Sequence, residues 1–355
     1  MASIVEVARL AKVSVTTVSR VLGGSSHPVS EKTRARVLEA ARALNYSPSA
    51  LAKALVKRDT RIVGVIIGDS ADPYFAAIIR GIEDVARKNG YLVIVCNSDR
   101  IPEVELQYLR TLNDYRVDAV IFAGGGLLDR TYLVEVERIL ASLRERGGVC
   151  LSLSKHMFAS LPVMVDNRQV VKDAVDYLID LGHERIAYIS GPEGVTTSEL
   201  RLDGYKWALD SHGLPVDSRL IVGGDFTYAA GLAAARVIDR LRPRPTAVMA
   251  ANDIMAIGCM TALKEMGYRI PRDISVMGVD DIPAAEFVEP SLSTVAIPMY
   301  ELGAVSMESF LKFRRGELTL DDAVILPHRL VVRKSTVPPG RPRLRAGRRR
   351  AGTPE

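Results

Sequence analysis

Ile4-Val5-Glu6-Val7-Ala8-Arg9-Leu10-Ala11-Lys12-Val13-Ser14-Val15-Thr16-Thr17-Val18-Ser19-Arg20-Val21-Leu22 decides how the chain begins. Its pattern predicts two short helices joined by a tight turn. Ser3 caps the first helix, and Glu6, three residues on, completes a capping box. Ser14 caps the second. Val7, Ala8 and Ala11 give the first helix a small apolar face, and Val18, Val21 and Leu22 do the same for the second. Small residues let two helices approach as closely as a helix-turn-helix requires. The outer face of the second helix then carries Val15, Thr16, Thr17, Ser19 and Arg20. Short polar groups, methyls and one guanidinium suit the major groove, where Arg pairs with guanine edges and methyls touch thymine.

The flanking sequence agrees. Ser30-Glu31-Lys32-Thr33 opens a third helix whose apolar stripe is read as Val37, Leu38, Ala41 and Leu44, with Asn45 as a left-handed cap. Ser47 and Pro48 are placed to start a fourth, short helix. Residues 1–60 hold ten Lys or Arg against four Asp or Glu, as a phosphate-binding face requires. The competing reading is a small helical bundle with a basic solvated surface.

Three runs carry a resemblance: Val13–Leu22, Val29-Ser30-Glu31-Lys32-Thr33-Arg34, and Leu44-Asn45-Tyr46-Ser47-Pro48-Ser49-Ala50-Leu51-Ala52. They resemble the head of the lactose-repressor family of bacterial transcription regulators, and the similarity continues to about residue 336. The resemblance implies a cytoplasmic, homodimeric repressor acting on pseudo-palindromic double-stranded operator DNA. It implies DNA contacts from Ser14, Val15, Thr16, Thr17, Ser19, Arg20, Ser30, Thr33, Tyr46, Ser49, Ala52 and Leu55. Leu55, on a hinge helix, matches a residue that wedges between the central base pairs. The implied organisation is a helix-turn-helix domain over 1–47, a hinge helix and linker over 48–60, an effector-binding and dimerisation core over 61–336, and a basic tail over 337–355.

A chain of 355 residues fits two to three domains. Its net charge of +5 hides an asymmetry. Head and tail are both basic, the tail with six Arg and one Glu, so the middle is acidic overall. Nucleic acid is therefore the expected partner of the ends, and the middle has another task. Cys96, Cys150 and Cys259 sit in apolar runs without metal-ligand spacing and read as buried thiols of a reducing compartment. No signal segment and no membrane-length apolar run is seen.

From Arg61 the pattern becomes strand–helix alternation. Strands are expected at Ile62–Ile67, Leu92–Cys96, Val117–Phe122, Val149–Leu153, Ile186–Ser190, Ala247–Ala250 and Ile274–Val279, apolar runs of the kind buried on both faces of a parallel sheet. Amphipathic stretches lie between them, and Gly90, Gly147, Gly182, Gly213 and Gly267 stand where helix C-caps belong. The fold class is thus an all-α head followed by an α/β core. The resemblance makes that core two Rossmann-like subdomains of periplasmic-binding-protein type: about 61–161 plus 294–320, and 162–293 plus 321–336. It also implies three chain crossings, with Pro298–Arg315 returning to the first subdomain and Ala323–Val332 to the second.

Ligands of open α/β sheets bind beyond the C-terminal strand ends. Tyr74 and Phe75 follow the first strand and either stack on a ring or anchor the helix they open. Arg201 matches the family's effector-binding arginine, against the alternative of an exposed helix arginine. Phe226 matches an aromatic that closes over the ligand. Thr197, Asn252 and Asp280 follow strand ends, and a carboxylate there can accept two hydroxyl hydrogen bonds from a sugar diol; Asp281 alone could be a helix cap. Family members often carry Asp after the fourth strand. Here the best match is Ser152. The effector expected is a sugar or sugar derivative.

Enzymatic constellations are scarce. His27, His156, His183, His212 and His328 are far apart, and His183 and His212 follow helix ends where solvated histidine is common. Gly124-Gly125-Gly126 lacks dinucleotide-site spacing. No catalytic residue, metal or cofactor is expected. Of two further readings, a cofactor-dependent α/β enzyme is disfavoured by that scarcity, and a solute-binding protein by the helix-turn-helix head and the missing signal segment.

Overall fold

The computed structural model describes residues 2–23, 27–46 and 60–340. The expected hinge helix, with Ser49, Ala52 and Leu55, and the tail beyond Gly340 lie outside the described residues. The chain divides into two compact units, the head through Ile62 with Arg116–Asp118, and the core.

In the head, α1 spans Ile4–Ala11, α2 Val15–Gly23 and α3 Glu31–Ala43. The capping box forms, Ser3 Oγ accepting from Glu6 N and Ser3 N donating to the Glu6 carboxylate at 2.7 Å. Lys12 (φ 52) and Asn45 (φ 47) take the left-handed turns that stop α1 and α3. Val7, Ala8, Ala11, Val18, Val21, Val37, Ala40 and Ala41 form the core of the head. Ala40, not Leu38, completes the α3 stripe: Leu38 is an exposed residue. The small side chain at 40 lets α1 and α3 meet.

The core comprises β1 (Ile62–Ile67), α4 (Pro73–Lys88), β2 (Leu92–Asn97), α5 (Pro102–Asp114), β3 (Ala119–Phe122), α6 (Arg130–Glu145), β4 (Val149–Ser152), β5 (Leu161–Met164), α7 (Asn167–Asp180), β6 (Ile186–Ile189), α8 (Thr196–Ser211), β7 (Ile221–Val222), α9 (Tyr228–Arg240), β8 (Ala247–Ala250), α10 (Asp253–Glu265), β9 (Ser275–Asp280), α11 (Pro283–Phe287), β10 (Ser293–Ala296), α12 (Met299–Arg314), β11 (Val324–Ile325) and β12 (Arg329–Val331). The sheets run β2-β1-β3-β4-β5-β11 and β7-β6-β8-β9-β10-β12. Both repeat the doubly wound order whose switch point, between the first and third strands, opens a ligand crevice. All five expected glycines adopt positive φ at helix ends.

The subdomain boundaries differ from those expected. β5 pairs with β4, so the first crossing follows Met164 rather than residue 161. Pro162 masked this strand, because proline lacks a ladder donor. β10 pairs with β9, which puts residues 293–296 in the second sheet rather than the first. Its Ser293 and Thr294 look like loop residues, yet both are buried because their hydroxyls bond Thr336 and Asp253. Within 323–332, β11 stays in the first sheet against β5, and only β12 crosses, antiparallel to β10.

The return of α12 to the first subdomain depends on two glycines. A Cβ on Gly303 would stand 2.0 Å from the Ile78 carbonyl oxygen, and one on Gly81 would stand 2.1 Å from that of Tyr300. Backbone cannot yield as a side chain does. Gly303→Ala is therefore expected to destabilise the core by about 1–3 kcal/mol, read as a lowered denaturation midpoint. An unchanged midpoint would show that α4 and α12 separate freely.

Candidate nucleic-acid interface and ligand cleft

On α2 the side chains of Val15, Thr16, Ser19 and Arg20 are exposed while Val18 and Val21 are buried. Thr17 is half-buried, and its Oγ1 lies 2.9 Å from Ser14 Oγ, which also accepts from Thr17 N. Ser30 and Thr33 repeat this arrangement at the start of α3, with Ser30 Oγ donating to Thr33 Oγ1 at 2.9 Å. These four hydroxyls sit at helix N-termini, whose N–H groups and dipole favour phosphate. Tyr46 packs partly against the core of the head.

The core cleft lies between the C-terminal ends of the two sheets. Asp72, Tyr74, Phe75, Arg100, Ser154, Thr197, Arg201, Phe226, Asn252 and Asp280 line it, with Gly124, Gly125, Ala123 and Val195, around about 450 Å³ of empty space including the mouth. Seven of the eight expected residues thus converge. Ser152 does not: it is the last residue of β4, and its Oγ lies 2.8 Å from Ser160 Oγ. Ser154, two residues beyond the strand, reaches the cleft and contacts Thr197 Oγ1 at 2.9 Å. Asp281 is not a cap either; it pairs with Arg333 at 2.7 Å.

Arg201 is a buried residue of α8, not an exposed helix arginine. Its Nε donates to Asn167 Oδ1 at 2.9 Å, Nη1 to the Ala251 carbonyl, and Nη2 to Asp280 Oδ1 at 3.3 Å. Asn252 caps α10 through Oδ1 and donates through Nδ2 to the Phe226 carbonyl at 3.1 Å. Phe226 (φ 71) and Asp280 (φ 116) hold positive backbone angles that non-glycine residues rarely adopt. Such strain recurs at ligand sites.

Cross-cleft contacts hold the subdomains together. Leu127 and Val195 form a β-bridge. Thr196 Oγ1 accepts from Gly126 N at 2.8 Å and donates to the Lys155 carbonyl at 2.6 Å. The Arg100 guanidinium stands 5.9 Å from the Phe75 ring centroid and 5.4 Å from that of Phe226.

Arg100, Asp72, Gly124, Gly125 and Ser154 were not anticipated from the sequence. All but Asp72, the α4 cap, follow β2, β3 or β4. The strand-end rule applied to those strands would have found them. His183, expected to be solvated, is buried, with Nε2 donating to the Val337 carbonyl at 3.0 Å.

Burial dominates the electrostatics. It pushes Asp280 up to about 7 against the opposing pull of Arg201. It also raises Asp253, helped by repulsion from Asp280, and raises Asp72. Asp253 accepts from Thr294 Oγ1 at 2.6 Å and from Ile282 N at 3.0 Å behind the cleft floor. Among the described residues, no His, Cys, Asp and Glu group is arranged to hold a metal, and no helix is long and apolar enough to cross a membrane.

A helix-turn-helix head joined to a two-sheet, cleft-bearing core of periplasmic-binding-protein type defines a DNA-binding regulator. The family model for bacterial regulatory proteins of the lacI family matches residues 3–49, and that of a periplasmic binding protein-like domain matches 175–336. Catabolite control protein A of Priestia megaterium is 37% identical over 337 residues, covering 94% of this chain and 99% of that protein. The lac repressor dimer bound to operator and the anti-inducer ONPF is 27% identical with a TM-score of 0.78, over 95% of this chain and 99% of that one. A CelR–cellobiose complex is 30% identical with a TM-score of 0.70, over 95% and 100%. The chain belongs to the lactose-repressor family. It is a DNA-binding transcriptional repressor, not an enzyme.

The buried carboxyl gives a pH signature. Folded, Asp280 keeps its proton until about pH 7; unfolded, it releases it near 3.8. The folded state therefore binds more protons between these values, so this group makes stability fall as pH rises through that window and level off above it. Asp280→Asn is expected to flatten that part of the curve of denaturation midpoint against pH. An identical slope in the variant would show that Asp280 stays ionised throughout.

Proposed function

We infer that the head reads operator DNA as one half of a two-fold dimer, and that the cleft binds a small carbohydrate whose occupancy controls operator affinity. The observation that carries the effector reading is the lining of the cleft. Tyr74, Phe75 and Phe226 offer ring faces, while Ser154, Thr197, Asn252 and Asp280 offer hydroxyl-gripping groups from both subdomains. Sugars present an apolar face and a rim of hydroxyls, and this lining complements both. The cellobiose carried by the related CelR supports the same class. Dimerisation follows from the small area of one helix-turn-helix and from the two-fold symmetry of palindromic sites.

On the DNA side, Val15, Thr16, Ser19 and Arg20 meet base edges, and the capped N-termini around Ser14, Thr17, Ser30 and Thr33 meet phosphates. Binding of a ligand to one conformation of the cleft shifts the operator equilibrium by the difference in its affinity for the two states.

Arg20→Ala should cost about 1–3 kcal/mol at one base pair and relax specificity there. The measurement is selection from a random duplex pool followed by titration of single-base variants. Equal weakening on every sequence would reduce Arg20 to a phosphate contact. Asp280→Asn and Arg201→Ala should each abolish calorimetric sugar binding while operator affinity stays within a few-fold. Unchanged sugar affinity in both variants would remove the cleft from effector recognition.

A further inference from the structure

Arg100 carries a charge that no other side chain of the cleft answers. It is half-buried, and it lines the cleft, the mouth beside Asp225 and Tyr228, and a smaller chamber beside Glu105 and His156. Among the described residues the guanidinium has no hydrogen-bond acceptor and no ion-pair partner; it stands instead near the rings of Phe75 and Phe226. Burial pulls its pKa below the ordinary arginine value, against the opposing pull of Asp72, Asp69, Asp225 and Asp99. Those carboxylates are turned to other donors. Asp72 accepts from Tyr74 N at 3.0 Å, Asp69 from Ala71 N at 2.9 Å, Asp225 from Thr227 N at 2.8 Å and Asp99 from Asn97 Nδ2 at 2.7 Å. Arg201 differs, because its Nε, Nη1 and Nη2 each already donate within the protein.

The placement of Arg100 is built. Asp99 (φ 51) and Arg100 (φ 60) are successive non-glycine residues in the left-handed region, a conformation that surrounding contacts must hold. Buried Ser98 accepts from Arg100 N at 3.3 Å and donates to the Ile67 carbonyl at 2.9 Å, and its Oγ stands 3.0 Å from Glu105 Oε2. The other Glu105 oxygen accepts from Tyr132 Oη, so a buried polar chain backs the turn. Gly68, just past β1, makes room for the side chain: a Cβ there would stand 2.9 Å from Arg100 Nε.

We propose that Arg100 anchors a carboxylate of the effector, and that the ligand of the cleft is a sugar acid, a uronate or an aldonate, rather than an uncharged sugar. The proposal rests on the cleft as the effector site. A guanidinium drawn out of water without a partner is in an unfavourable state that a ligand anion relieves, and its planar fork meets both carboxylate oxygens at once. The same fork tolerates aromatic rings beside it. One negative charge suits the site. Asp72 and Asp69 repel a second, which disfavours the near-dianion of a phosphate.

The test is calorimetry on the full chain at neutral pH, where a sugar carboxylate is ionised. D-Glucuronate, D-galacturonate and D-gluconate are compared with D-glucose, D-galactose, D-ribose and glucose 6-phosphate. At least one acid should bind about tenfold or more tightly than its uncharged counterpart, and Arg100→Gln should weaken that acid roughly 10- to 100-fold, as loss of hydrogen bonds to a charged group requires. Arg100→Lys keeps the charge without the fork and should fall between the two. Gly68→Ala keeps Arg100 and displaces only its guanidinium; it should weaken the acid about tenfold. A native denaturation midpoint in Gly68→Ala separates that loss from misfolding. Tighter binding of an uncharged sugar than of any acid would overturn the proposal and leave the cleft as effector site. Unchanged acid affinity in both Arg100→Gln and Gly68→Ala would overturn Arg100 as the anchor. Preference for glucose 6-phosphate over the acids would overturn the single-charge assignment. Binding of none of these compounds would overturn the carbohydrate reading of the cleft itself, and the proposal with it.

Discussion

A guanidinium taken out of water must find a partner for its charge and acceptors for its donors, and the second subdomain is arranged around that demand at Arg201. Asn167 comes from the start of α7, the Ala251 carbonyl from just past β8, and Asp280 from the end of β9. Three elements distant in sequence are thereby fixed at one point. Removing a single member leaves the others desolvated and unpaired, a loss usually larger than the net gain from forming such a pair. The same contacts spread Asp280, Asn252 and Phe226 along one wall of the cleft.

The opposite wall comes from the first sheet by the same geometry. Its strand ends supply the glycines at 124 and 125, Ser154, and Arg100, whose guanidinium stands near aromatic rings of both subdomains. The walls meet through main-chain contacts at Gly126, Val195 and Thr196 and through the hydroxyls of Thr196, Thr197 and Ser154. Three chain crossings form the remaining connection, after β5, after β10 and between β11 and β12.

Charge is distributed by task. The head is basic, with a polar reading face supported by alanine- and valine-sized packing. The core between is acidic overall, and the four carboxyl groups buried among its described residues, Glu105, Asp118, Asp253 and Asp280, each accept hydrogen bonds. Residues 335–337 are secured to the second sheet by buried hydroxyls and one imidazole, which binds the segment without burying a charge.

Much of this was legible in the sequence because local chemistry dictates it. Ser3 with Glu6, Ser14 and Asn45 mark helix ends whatever surrounds them, and the glycines after the core helices took positive φ as their positions required. Apolar runs such as Ile62–Ile67 and Ala247–Ala250 gave strand bounds directly, since a doubly covered strand tolerates little else. The family pattern likewise carried Arg201, Phe226 and Asp280 to the cleft. Tertiary structure alone decided the rest. Ser154 rather than Ser152 faces the cleft because reach past a strand end depends on where the sheet stops. β5 and β10 became strands despite Pro162 and the polar Ser293 and Thr294, because β11, Thr336 and Asp253 arrive from distant segments to meet their backbone and hydroxyl groups. His183 is buried because the carbonyl that satisfies it arrives from Val337. A hydrogen-bonding partner more than a hundred residues away leaves no mark on local periodicity, so only the folded chain reveals it.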